Sequence, residues 1–266
     1  MSDRNFIVAV PSYRRPGNVE LMNEIASPDL WVVHDKKDYN DYRAAGAAHV
    51  EVGTRTLVES RNHILDIAQE NNAYVCTVDD DIKGFWKFTL GSLTSCTFND
   101  AVGTILGYMD LTGAMLGGVR RYNRTAWCKA EVRTWDIVLG GCYIVHPDSE
   151  VRFSTDPRLA LVDDTDFSLR HLDRYGFLAS VVWVAPNAVI NAGVQKGYNK
   201  GGLSALRKAT DFNDTLDALF ETWPQYIVDN NKKNRGHRFI LPPRKWPTLA
   251  REKYLLANGN YPEDHA

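Results

Sequence analysis

Ala73-Tyr74-Val75-Cys76-Thr77-Val78 is an apolar, β-branched run that stops on three consecutive aspartates, Asp79-Asp80-Asp81. A short buried strand ending abruptly in charge suits a parallel sheet whose strand ends open onto a ligand crevice. Outward from this point the same rhythm repeats. Phe6 to Val10 reads as a buried strand that breaks at Pro11, followed by a helical stretch near Val19 to Ile25. Leu30 to Val33 and His49 to Val52 read as two further strands. Leu57, Ile64, Leu65 and Ile67-Ala68 then fall on one face of a helix that leads back to Ala73. Strands separated by helices predict an α/β fold, with a mostly parallel central sheet and helices on both faces. Pro11 to Arg15, His34-Asp35 and Asp79 to Asp81 all lie at predicted strand ends, so they are expected to converge on one crevice.

Beyond the triplet the reading is coarser. Trp135 to Val145 and Ala179 to Ala185 are predicted strands, with a helix between them from about Thr165 to Tyr175. Gly193 to Gly202 reads as a Gly-, Lys- and Asn-rich loop, and Ala205 to Phe220 has helical spacing. The expected organisation is one domain over 1–228, divided at about 118/119, followed by a basic tail over 229–266.

Composition sets limits. A chain of 266 residues with 44% hydrophobic and 24% charged residues has the make-up of a globular domain. It contains no apolar run long enough to span a bilayer, and Met1 to Asn5 lacks the pattern of a signal peptide. Cys76, Cys96, Cys128 and Cys142 form no CxxC pair, which points to a reducing cytoplasm and away from a cysteine zinc site. The net charge of −2 conceals an asymmetry. Residues 229–253 carry eight basic side chains against Asp229 and Glu252, a +6 strip on a −8 body. Such a strip suits an anionic partner such as nucleic acid, and equally a solvated tail.

Three adjacent carboxylates repel one another, and a divalent cation relieves that conflict. Mn²⁺ or Mg²⁺ prefers oxygen ligands shared with phosphates. Helix capping is the competing explanation, but one aspartate would suffice for it. A second acidic cluster, Asp163-Asp164-Thr165-Asp166, opens the predicted 165–175 helix. It suits either a general base or an N-cap.

The order Val52-Gly53, Ser60-Arg61-Asn62, Ala68, then Tyr74 to Asp81 resembles the family-2 glycosyltransferases, and Val10-Pro11-Ser12-Tyr13-Arg14-Arg15-Pro16 resembles their opening strand and loop. The resemblance covers roughly Phe6 to Tyr175. It implies a GT-A fold, a nucleoside diphosphate sugar donor (taken here as a UDP-sugar) and a divalent metal. It places Pro11, Ser12, Tyr13, Arg15 and Asp35 around the nucleotide, and Arg61 on the aspartate cluster or the diphosphate. Asp79 and Asp80 fall on the donor, Asp79 and Asp81 on the metal. Asp164 becomes the base, with Asp163 and Asp166 as alternates. The chain departs from the superfamily where a late histidine would be the third metal ligand. Asn191 stands in that region, while Lys196 and Lys200 are placed to neutralise the leaving diphosphate, and His237 lies in the tail.

Val-Pro-Ser-Tyr-x-Arg-Pro, with Lys196 to Gly202, further resembles the bacteriophage TET-associated glycosyltransferases. That resemblance implies hydroxymethylated pyrimidines of DNA as acceptor and a host cytoplasm as location. The cation–aromatic stretch Arg120-Arg121-Tyr122-Asn123-Arg124 to Trp127, with Lys232, Lys233, Arg235 and Arg238 of the tail, suits phosphate contacts and a displaced base. A small-molecule, protein or polysaccharide acceptor and a non-catalytic nucleic-acid binder are the competing readings. A pure binder gains nothing from clustered carboxylates. A sugar nucleotidyltransferase ranks lower, since Ser12 to Gly17 holds a single glycine where a phosphate loop would need more.

Overall fold

The computed structural model describes residues 5–53, 56–89, 92–120, 131–138, 140–188, 212–229, 239–240 and 247–259. The chain begins with β1 (Asn5–Ser12), α1 (Val19–Ile25), β2 (Leu30–Val33), α2 (Lys36–Ala44), β3 (Val50–Val52), α3 (Leu57–Glu70) and β4 (Ala73–Val78). A hairpin follows, β5 (Ile82–Thr89) and β6 (Ser92–Cys96), then α4 (Phe98–Thr112) and β7 (Leu116–Val119). The remainder comprises β8 (Val132–Arg133), β9 (Cys142–Val145), α5 (Asp163–Tyr175), β10 (Ala179–Val181), β11 (Val184–Ala188), α6 (Phe212–Thr222), the small pair β12 (Val228–Asp229) and β13 (Phe239–Ile240), and α7 (Thr248–Ala257).

The main sheet has the order β3-β2-β1-β4-β9-β7-β10-β8. β1 pairs in parallel with β2 and with β4, and β2 with β3. β9 runs antiparallel to both β4 and β7, and β10 returns to the common direction beside β7. The expected α/β fold with a mostly parallel sheet is found. Period-two alternation sends Val8, Val10, Trp31 and Val33 to one face, where α1, α2, α4 and α7 cover them. Ala9, Leu30, Val32 and Val75 face the other way, under α3, α5 and α6. Helix starts are fixed locally: Thr56 with Glu59, and Thr97 with Asp100, form reciprocal capping boxes on α3 and α4.

Several expectations are corrected. β1 does not break at Pro11 but continues to Ser12, with Pro11 opposite Val32. The β4 ladder has already ended at Ala9–Thr77, so Pro11 has a strand neighbour on one side only, where a missing N–H is tolerated. The strand expected over Trp135 to Val145 is reduced to Cys142–Val145 and runs antiparallel. Upstream of it, Asp136 holds Arg120 and Arg133, and the Ser168 hydroxyl takes the Val138 N–H, so the backbone bends toward side-chain partners. The strand expected over Ala179 to Ala185 splits at Val182-Trp183. Its second half, β11, leaves the main sheet to pair with β5 in a three-stranded sheet with β6. Part of the C-terminal segment is docked: Ala250 and Ala257 of α7 are buried, and Asn258 exchanges hydrogen bonds with both backbone groups of Val132.

Candidate functional site

In the strand order, β1 has β2 on one side and β4 on the other, so the chain's progress across the sheet reverses there. Open α/β sheets bind ligands at the carboxyl ends flanking such a switch point. Ser12 ends β1, and Asp79 follows the last residue of β4. Both lie at this edge, and the backbone between is unusual: Arg14, just after β1, has φ +54, a left-handed conformation uncommon for a side-chain-bearing residue.

The three aspartates have different partners. Asp80 is buried and turned inward. Its carboxylate accepts hydrogen bonds from the Ser12 hydroxyl and from Arg15 at 2.6 Å, and its backbone carbonyl accepts from Asn18 at 2.9 Å. Tyr42 of α2 reinforces this knot, lying 2.6 Å from the Ser12 hydroxyl and accepting the Arg15 N–H at 2.9 Å. Burial pushes the Tyr42 phenol up to about 12. Asp79 turns toward α3, with its Oδ1 3.3 Å from Arg61 Nη2. Asp81 has Arg15 at 3.7 Å. The Asp79 and Asp81 side chains remain 31% and 33% exposed, so these two can meet a ligand. Burial is the first cause of a raised pKa for all three. For Asp79 the charges of Asp81 and Asp80 add to burial against the relief from Arg61, and the value reaches about 7.

Arg61 is the hinge-pin of the site. Its side chain is 4% exposed and also ion-pairs with Asp163 at the start of α5, 102 residues on in the sequence. Its guanidinium lies 5.4 Å from the centre of the Phe153 ring. A Cβ at Gly140 would come within 3.0 Å of Arg61 Nη2, so the small residue makes room for the guanidinium. The neighbouring Asn62 clamps the backbone of Phe153 in both directions, at 3.1 and 2.8 Å. The Arg-Asn pair on α3 therefore ties the end of β4 to the beginning of α5. Burial works against the Arg61 charge, yet its carboxylate neighbours, Asp163 foremost, hold the guanidinium firmly protonated.

The second acidic cluster is also divided. Asp163 is buried, bonded to Arg61 and to the Asp164 N–H at 3.0 Å. Asp166 is fully buried, with one oxygen 2.7 Å from Arg170 Nε and the other accepting the Trp223 indole N–H at 2.8 Å. Asp164 is half-exposed. It accepts backbone N–H groups from Thr165 at 2.8 Å and Gly140 at 3.3 Å, and burial together with the Asp163 charge raises its pKa. Of the three, Asp164 is the carboxylate an acceptor can reach.

Among the other expected residues, Pro11 and Ser12 are buried at the strand end. Tyr13 is half-buried with its ring 5.0 Å from that of His34. Asp35 caps α2 by accepting the Lys37 N–H at 3.0 Å. Arg120 is paired with the buried Asp136 at 2.5 Å, and its own side chain stays 25% exposed. Asn191, Lys196, Lys200, Arg121, Tyr122, Arg124, Trp127, Lys232, Lys233, Arg235, Arg238 and His237 lie outside the described residues. Tyr42, Asn18, Gly140 and Phe153 were not found from the sequence; only the Gly140-Gly141 pair carries a local signal there.

Among the described residues no three His, Cys, Asp or Glu side chains converge to hold a metal ion. Asp79 and Asp81, the two of the triplet with partly exposed side chains, are the carboxylates that could hold an ion together with diphosphate oxygens and water. No helix among the described residues is long and apolar enough to cross a membrane. No protein-family model and no curated protein matches the chain. Among solved structures, it is similar to that of CMP:2-keto-3-deoxy-manno-octonic acid synthetase complexed with CTP, at 13% identity and a TM-score of 0.44, over 81% of this chain and 99% of that one.

Proposed function

We propose that the protein is a GT-A glycosyltransferase that moves a sugar from a uridine diphosphate sugar to an acceptor hydroxyl. The observation that carries this reading is the Arg61 bridge. It ties Asp79, at the carboxyl end of β4, to the acidic start of α5, at the sheet's switch point beside β1. Ser12, Tyr13 and Arg15 are at hand for the nucleotide, and Asp79 and Asp81 for the diphosphate end. A divalent cation held by these two carboxylates would neutralise charge on the departing diphosphate.

Asp164 is assigned as the base. The acceptor oxygen forms the new bond to the sugar's anomeric carbon. The bond from that carbon to the diphosphate oxygen breaks, and its electron pair leaves with the nucleoside diphosphate. The acceptor's proton passes to Asp164. Its raised pKa makes it a better proton acceptor than an ordinary aspartate. Asp163 and Asp166, engaged by Arg61, Arg170 and Trp223, position the helix that carries it. For the acceptor we carry forward hydroxymethylated pyrimidines in DNA. That choice rests on the +6 segment and the sequence resemblance.

The test supplies Mn²⁺, a panel of UDP-sugars and either hydroxymethylated DNA or free small acceptors, and reads UDP release and modified nucleosides by mass spectrometry. UDP release that needs an acceptor and stops with EDTA is expected. UDP formed only with a small acceptor would remove DNA and leave the transfer chemistry. Pyrophosphate formed from a nucleoside triphosphate and a free sugar, with no UDP under any condition, would overturn the reading.

A further inference from the structure

A cavity of about 540 Å³ opens between the segment 150–155 and the outer face of α5, closed at one side by Trp223. That size is in the range of small-ligand sites. It is separate from the crevice. Arg170, on its α5 wall, follows Asp163 by seven residues, which places it about 10 Å further along the helix.

Arg170 is preorganised here. Its Nε is held 2.7 Å from Asp166, whose side chain is 1% exposed and is itself fixed by the Trp223 indole at 2.8 Å. The guanidinium also sits 5.9 Å from the centre of the Trp223 ring. With one edge pinned, its two terminal nitrogens have no partner among the described residues, and the side chain is 33% exposed. Such a fork matches the two oxygens of a phosphate or carboxylate. Arg152 and Arg174 join Arg170 in the lining against Glu150 and Asp173. Arg152 is committed to Asp66 and Gln69, so it contributes charge rather than donors. Arg174 is paired with Glu150 at the exposed rim, where an ion pair is weak and easily exchanged. Asp173 is turned to the Tyr226 hydroxyl at 2.9 Å. Ser154 and Thr155 add hydroxyls on the opposite wall.

We propose that this cavity is a second binding site, for a phosphate group, either free or within a phosphodiester, with Arg170 as its anchor. It does not depend on the glycosyl-transfer reading. The probe is inorganic phosphate, titrated into the full-length protein while the indole ¹H–¹⁵N resonance of Trp223 is followed; Trp223→Phe identifies that peak by its loss. A saturable shift of the Trp223 peak is expected. It should weaken about tenfold or more in Arg170→Gln, the loss expected for charge-assisted hydrogen bonds. Thr155→Trp, at an exposed position, fills the mouth without touching the Asp166–Arg170 pair and should block the shift in a folded protein. Asp164→Asn should leave it unchanged. A dinucleotide with one internal phosphodiester serves as the second arm. Tighter binding than inorganic phosphate assigns a nucleic-acid backbone, and weaker binding a free phosphate. No saturable shift with either probe, or an equal shift in Arg170→Gln and Thr155→Trp, overturns the site.

Discussion

Replacing Arg61 by Met keeps most of the side chain's apolar volume and removes the charge that two carboxylates share. Asp163 is 10% exposed at its side chain, so it would be left as a buried charge without a partner. Removing one member of a buried ion pair costs about 3–5 kcal/mol. The Asp79 arm adds little, about 0–1 kcal/mol, because 31% of that side chain already meets water. An upper bound comes from protonation: a stranded carboxylate escapes the penalty by taking up a proton, which at pH 7 costs an ordinary aspartate about 4 kcal/mol and less as pH falls. The expected loss for Arg61→Met is therefore about 3–4 kcal/mol at pH 7, and visibly smaller at pH 5. Urea unfolding followed by tryptophan fluorescence at both pH values measures it. The double variant Arg61→Met/Asp163→Asn should recover much of the loss, since it removes the stranded charge. A loss under about 1 kcal/mol at pH 7, or a double variant no better than the single one, would refute the bridge as the tie between β4 and α5.

Asp164→Asn should lower kcat by about 10²–10⁴-fold with donor affinity nearly unchanged, as expected for losing a proton acceptor. Asp166→Asn should instead lower the urea midpoint, by about 1–3 kcal/mol of stability, because it strips the Arg170 pair. A slowed but fully stable Asp166→Asn enzyme would reverse these roles. Asp79 gives the pH signature. With its folded-state pKa at about 7 against a usual 3.8, the native chain keeps a proton that the unfolded chain releases over that interval. Its contribution to stability is present below about pH 4 and is lost as pH rises through 7. Asp79→Asn should flatten that decline, by about 3 kcal/mol after discounting the exposed third of the side chain. Superimposable melting profiles from pH 4 to 7 for the two proteins would count against it.

The part of the chain up to Val78 was legible because its signals are local. β2 and β4 are apolar runs buried along almost their whole length, and their observed bounds are the expected ones. α1 likewise spans Val19–Ile25, as its spacing predicts. From Ile82 to Val119 the sequence yielded no elements, for physical reasons. β5 and β6 are half-exposed, so their pattern mixes Lys, Gly and Thr with Phe and Trp. β7 is Leu-Gly-Gly-Val, a composition poor for a strand. A Cβ at Gly117 would come 2.5 Å from Met109, so α4 sits on the sheet only because that residue lacks a side chain. α4 did carry a readable start, Thr97 with Asp100, and a readable stop at Gly113.

For the site, the sequence located the acidic clusters but not the division of labour inside them. Asp79, Asp80 and Asp81 look equivalent on paper because what separates them comes from elsewhere in the chain. Arg61 on α3 draws the first aside, while Ser12 and Arg15 after β1 hold the second. The same holds for Asp163, Asp164 and Asp166, which helical rotation points at Arg61, at solvent, and at Trp223 with Arg170. Pairing has a consequence for chemistry. A buried carboxylate whose oxygens are already taken by arginine, hydroxyl or indole donors has little capacity for a new ligand. By that criterion Asp80, Asp163 and Asp166 hold the frame, whereas the side chains of Asp79, Asp81 and Asp164 stay partly exposed. Asp79 alone belongs to both groups. It shares Arg61 with Asp163 and still faces the crevice, so a cation arriving at Asp79 would compete with Arg61 for the same carboxylate. On the proposed function, that competition would couple the donor end of the site to the start of α5, where Asp164 is assigned as the base.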